Sequence, residues 1–131
     1  MLEARKHLRF VISLYREQET EGRYWLHEHP QGAASWQEPA MVELLAFGHA
    51  YVVNANMCQF GMTSSDEDGE GLVFKPTKFA TNCEAIANQL ERKCHNSKID
   101  KPHRHVRLLQ GRALAAQVYP PELCRAICKG L

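Results

Sequence analysis

No run of eighteen or more apolar residues crosses this sequence, and no charged-then-apolar N-terminal stretch ends in a cleavage pattern, so neither a membrane span nor a signal peptide is expected. An intracellular address follows, with nucleus and cytoplasm not distinguished. The five cysteines, Cys58, Cys83, Cys94, Cys124 and Cys128, are odd in number and lack CxxC spacing. A secreted disulfide framework is thereby disfavoured and reduced thiols are expected. Internal repeats are absent too. What remains is 131 residues, 44% of them apolar, enough for one core and one domain over residues 1–131.

A net charge near zero conceals a division. Up to Gly71 eleven acids face five bases, and from Leu72 onward eleven bases face four acids, with His95, His103 and His105 among them. A basic half of this kind suits phosphate contact, because neutralising backbone phosphates is the main source of nucleic-acid affinity. Arg104, Arg107 and Arg112 are the phosphate-contact candidates. A solvated basic face is the alternative reading.

Leu8, Val11, Ile12 and Tyr15 recur at helical spacing, which predicts an amphipathic helix over the first twenty residues, ended by Gly22. Tyr24 to His27 read as a strand, and Pro30-Gln-Gly-Ala-Ala as a loop. Ser35 with Glu38, and Thr81 with Glu84, have capping-box spacing; the first predicts a helix carrying Met41, Leu44 and Leu45, the second a helix running to about Cys94. Ala50 to Asn54 predict a second strand. The acidic, glycine-rich residues 63–71 predict a hairpin tip; their acids are contiguous and no Glu stands twelfth, which argues against a calcium loop. Leu72 to Thr81, interrupted by Pro76, predict a third strand at a sheet edge or bulge. A short helix after Gly111 and a proline-led helix from Pro120 complete the order. This alternation predicts an α/β fold, helices packed on a sheet, with an antiparallel hairpin at one edge.

Strand Tyr24 to Pro30 ends Y-W-L-H-E-H-P, and an acid at the end of a strand is how open α/β sheets present a side chain to a ligand. The order of short motifs around it resembles the cytosine-C5 DNA methylase family and its compact phage-type relatives. Glu28-His29-Pro30 stands where that family has Glu-Asn-Val or Glu-Asn-Pro, with His in place of Asn. Val53-Asn54-Ala55, Cys58-Gln59-Phe60-Gly61, Lys75-Pro76-Thr77, Thr81-Asn82 and the proline-led segment from Tyr119 resemble later motifs in the same order, so the likeness spans roughly Arg9 to Gly130. Similar segments also occur in retroelement-type polyproteins, so a retrotransposon or phage derivation is expected.

The resemblance implies a partial Rossmann-like methyltransferase sheet in an incomplete domain, with Glu28 as the base-contacting acid. A carboxylate can accept from the exocyclic amino group of cytosine and, when protonated, donate to a ring nitrogen. His29, Pro30, Trp36, Gln59 and Lys75 would surround the base, while Thr77 and Asn82 organise turns and caps. The departures are decisive for chemistry. No G-x-G turn precedes Glu28 and no cysteine follows a proline, so the cofactor turn and the Pro-Cys nucleophile of the family are missing. The expectation is therefore a base-recognition half, inactive alone, without a cofactor of its own. S-adenosylmethionine would enter only with a missing N-terminal half, supplied by an upstream segment or a partner chain. A non-enzymatic nucleic-acid-binding or assembly module is the alternative, and a small metal-dependent nuclease a third.

No metal site is expected. His27 and His29 are taken to point to opposite faces of their strand, which would keep them from sharing an ion. Zinc donors do occur in two sets, His29 with Cys58, and Cys94-His95 with His103 and His105, but without finger spacing.

Overall fold

Leu8, Ile12 and Tyr15 lie along one stripe of the first helix, α1 (Leu2–Thr20), and that stripe packs against Trp25, Trp36, Met41, Leu44 and Ala80. The computed structural model describes residues 2–94, 103–107 and 118–131. Gly22, at φ +70°, turns the chain out of α1 in the left-handed conformation that glycine adopts without a Cβ penalty. β1 (Leu26–Pro30) follows, then a 3-10 turn (Ala34–Gln37) and α2 (Pro39–Phe47). β2 (Tyr51–Asn56) runs into a second 3-10 turn (Met57–Phe60). The hairpin β3 (Thr63–Asp66) and β4 (Gly69–Leu72), β5 (Pro76–Thr81), α3 (Glu84–Leu90) and α4 (Pro121–Gly130) complete the described elements.

The main sheet has three strands in the order β1-β5-β2, so the last of the described strands is the central one. Both of its ladders are antiparallel, with Glu28 opposite Phe79 and Val53 opposite Phe79 on the other side. β3 and β4 form a separate two-stranded sheet rather than an edge of the first. The mixed α/β class expected from the alternation of elements is therefore present. Rossmann-like sheets are built from parallel neighbours, whereas every ladder between the named strands here is antiparallel. Helix-strand alternation implies parallel strands only when each helix crosses over between adjacent strands. Here β1 and β2 are not adjacent, because β5 lies between them.

Helices cover both faces of the sheet. α1 and α2 close over the face of Ala80, and α3 and α4 over the face of Phe79, where Val53, Met57, Phe60, Ile86, Leu90 and Leu123 form the larger core. Thr77 and Thr81 are fully buried beside Phe79. The Thr81 hydroxyl donates to the Trp25 carbonyl (2.6 Å) and accepts from the Cys83 amide (3.1 Å). Asn82 accepts from the Trp25 amide and donates to the Arg23 carbonyl, so the approach to β1 is clipped to the end of β5 by side chains. For that reason β1 begins at Leu26 rather than Tyr24. It ends on Pro30, which an edge strand tolerates.

Neither capping-box pattern forms its box. α2 starts at Pro39 with Glu38 as N-cap and no side-chain cap bond, while the Ser35 hydroxyl pairs with His29. α3 starts after Cys83 and stops at Leu90, short of Cys94. Leu72 to Thr81 divide into β4 and β5 at Lys75, whose φ of +28° is a strained value for a residue with a side chain. The proline-led helix forms as expected, with Pro121 in its first turn. The helix expected after Gly111 lies outside the described residues.

Candidate functional site

Residues two apart in a strand share a face. His27 and His29 accordingly lie on the same side of β1, their ring centroids 6.2 Å apart, and the expectation that they oppose one another is corrected. Glu28, between them, faces the α4 side, where its Oε2 accepts a 3.0 Å hydrogen bond from the Tyr119 hydroxyl. Partial burial and the adjoining carboxylate push the Tyr119 phenol above its usual value. Glu28 thus does not share a site with the histidines.

On the other side, the Tyr15 hydroxyl lies 2.9 Å from His27 Nδ1, and Trp36 meets the same imidazole edge-on. Burial, with a smaller contribution from His29, pushes His27 down to about 4, so the ring is neutral near pH 7. Burial likewise raises the Tyr15 phenol, which keeps its proton. With Tyr15 donating to Nδ1, His27 carries its proton on Nε2, and that atom is buried without a partner. The unpartnered Oδ1 of Asn54 lies on the same face of the sheet, in the pair opposite Lys78.

Between α1 and the end of β1 lies a cavity of about 640 Å³, with an apolar wall from Ala4, Leu8, Val11 and Pro39. Its polar lining is His27, His29, Ser35 and Gln37 from the β1 side, with Arg5 and His7 from α1. Glu38, 8% exposed, closes one end and receives two guanidinium groups, Arg5 at 3.5 Å and Arg9 at 3.3 Å. Two cations on one carboxylate leave the rim net positive. Trp36 is itself buried, with the Lys78 ammonium 5.1 Å from its ring centre, so it packs under this region rather than offering an open face. The Pro30 carbonyl accepts from the Trp36 indole.

The other expected contact residues disperse. Gln59 and Lys75 lie at the same end of the sheet as Pro30, on the second 3-10 turn and at the bend before β5, but neither lines the cavity. Arg104 grips Asp66 at 2.7 Å and donates to the Gly69 carbonyl, so it fastens the β3–β4 hairpin. Arg107 is exposed, and Arg112 and His95 lie outside the described residues.

A second constellation gathers four metal-ligating side chains among the described residues. The ligand atoms of Cys58, Cys94, His103 and His105 all lie within 4.8 Å of one another. Cys58 comes from the second 3-10 turn, Cys94 from just beyond α3, and the two histidines from a segment whose backbone pairs with β4 at Leu72. Burial, then the Cys94 thiol beside it, push the Cys58 thiol up to about 12. Burial and the neighbouring His103 lower His105. The fold therefore takes donors from both of the sets seen in the sequence, leaving His29 elsewhere. Among the described residues these four could hold a metal ion. The sequence signal that points to them is H-x-H at 103 and 105, a spacing that puts both rings on one side of an extended segment.

The chain matches no family model, no curated protein and no solved structure. No helix among the described residues is long and apolar enough to cross a membrane.

Proposed function

We propose that this chain is a non-enzymatic nucleic-acid-binding module in which one nucleotide enters the cavity between α1 and the end of β1. The cavity carries the proposal: its volume of about 640 Å³ falls within the range of small-molecule sites, about 300–1,000 Å³. An apolar wall suits the face of a base, and His29, Ser35 and Gln37 supply groups for its edge. Arg5, Lys6, His7 and Arg9 run along the adjoining surface of α1 and suit the phosphates.

Fluorescence anisotropy with a short labelled single-stranded oligonucleotide tests this reading. His29→Ala is expected to weaken binding about five- to tenfold, the value of one hydrogen bond of about 1 kcal/mol, with the melting temperature unchanged. Lys6→Ala should weaken binding uniformly across sequences and lower the salt slope by about one. Affinity that ignores both salt and His29→Ala would refute the proposal.

A methylase-like base-recognition half, its Rossmann-like sheet completed by an upstream segment or partner chain, is a second reading. The observation in its favour is Glu28 at the end of β1, oriented through Oε2 by Tyr119. A reading frame that continued upstream into a glycine-rich strand-turn and a Pro-Cys would support it. An upstream frame without them would remove it.

A further inference from the structure

We infer that Cys58, Cys94, His103 and His105 bind one zinc ion in a closed structural site. The inference rests on donor type, geometry and the segments joined, and stands independently of nucleic-acid binding. Two sulfurs and two imidazole nitrogens are a tetrahedral S2N2 set, which selects zinc over oxygen-seeking cations. With Zn–S near 2.3 Å and Zn–N near 2.05 Å, a tetrahedron places its sulfur and nitrogen ligands about 3.5–3.6 Å apart. Cys94 Sγ lies 3.5 Å from His103 Nε2 and 3.7 Å from His105 Nε2. The two Nε2 atoms are 2.8 Å apart, closer than the tetrahedral edge of about 3.3 Å, so the rings part by about half an ångström when both turn lone pairs to the ion.

The surroundings hold these donors in place. Asn56, buried at the end of β2, accepts the Cys94 amide on its side-chain oxygen at 2.6 Å. Gln59 extends its amide toward Cys58 Sγ (3.8 Å), the outer hydrogen bond that thiolate ligands receive. Arg104, between the two histidines, points the opposite way and fastens to Asp66, which fixes the facing of its neighbours. The Leu72 amide donates to the Arg104 carbonyl and the Val106 amide to the Leu72 carbonyl, so the histidine segment is strapped along β4. The Phe74 ring covers His105, with centroids 5.1 Å apart.

Charge supports the same assignment. A divalent ion with two thiolates and two neutral imidazoles sums to zero, a state that buried Cys58 tolerates where a lone thiolate would not. Four protein ligands leave no open position for water or substrate, so the site holds structure rather than performing hydrolysis. It joins three segments that no disulfide connects: the turn after β2, the end of α3 and the strap on β4. Cys83, Cys124 and Cys128 lie outside it and serve as controls.

The test uses the full chain, purified without a polyhistidine tag under reducing conditions. Elemental analysis should return one zinc per chain, and replacement by cobalt(II) should give tetrahedral visible bands with a thiolate charge-transfer band. A strong chelator should lower the melting temperature by on the order of 10 °C, with recovery on adding zinc. His103→Ala with His105→Ala should abolish stoichiometric zinc, while Cys124→Ser with Cys128→Ser should retain it. If the histidine variant fails to fold, cobalt titration of the chelator-treated natural chain decides the matter. Substoichiometric zinc with no thiolate–cobalt band, an unchanged melt in chelator, or a Cys58–Cys94 disulfide in place of two free thiols would overturn the assignment.

Discussion

His27 is held neutral by its burial between Tyr15 and Trp36, and its proton affinity links that environment to stability. Its folded value of about 4 lies below the ordinary 6.5, so the unfolded chain binds a proton that the folded chain refuses between these limits. Stability from this residue is fully present above about pH 6.5 and declines as pH falls toward 4, by about 1–2 kcal/mol once its partial exposure is discounted. His27→Gln should flatten that limb of a melting-temperature profile measured from pH 4 to 8. An identical acid limb in the variant would assign the effect to other groups. The alternation that places His27 and His29 together is visible in the sequence, since a period of two puts i and i+2 on one face. The same rule explains His103 and His105. Cys58 and Cys94 were not linked by any local pattern, because thirty-five residues and the whole β3–β4 hairpin separate a turn from a helix end.

At the scale of elements, α3 and α4 approach through Gly130. A Cβ there would lie 2.6 Å from the Ile86 Cα and 2.8 Å from its amide nitrogen, both backbone atoms that cannot swing aside. Gly130→Ala should therefore cost about 2–3 kcal/mol by pushing the helices apart, measurable as a lower midpoint in urea. Gly22→Ala makes a contrast, with open space around its Cβ but a positive φ, and should cost about 1 kcal/mol through backbone strain alone. Helix positions were legible because apolar side chains recur along α1 and prolines open α2 and α4. Strand ends were less so. Asn82 and Thr81 fix the start of β1 from fifty-five or more residues away, and no local propensity contains such contacts.

For the whole molecule, one sheet divides two functions of packing. The α1–α2 side encloses the cavity and its two histidines, while the α3–α4 side carries the larger core. The α/β class was legible from the order of elements, but strand adjacency was not, because β5 pairs with partners on both sides and each pairing is long-range. Its proline also suggested an edge; Pro76 is its first residue, where a central strand accepts one.

The central place of β5 also governs when this protein can begin to fold. During synthesis β1 emerges about fifty residues before its partner, a wait of about 3–10 s at ordinary elongation rates. For that time β1 has no partner strand, and β2, which emerges about 25 residues before β5, lacks one for about half as long; their apolar faces depend on α1, α2 or a chaperone for cover. A fragment ending at Lys75 should show helical circular dichroism without a cooperative unfolding transition, whereas addition of the β5 segment is the step that turns a collection of local elements into a folding unit.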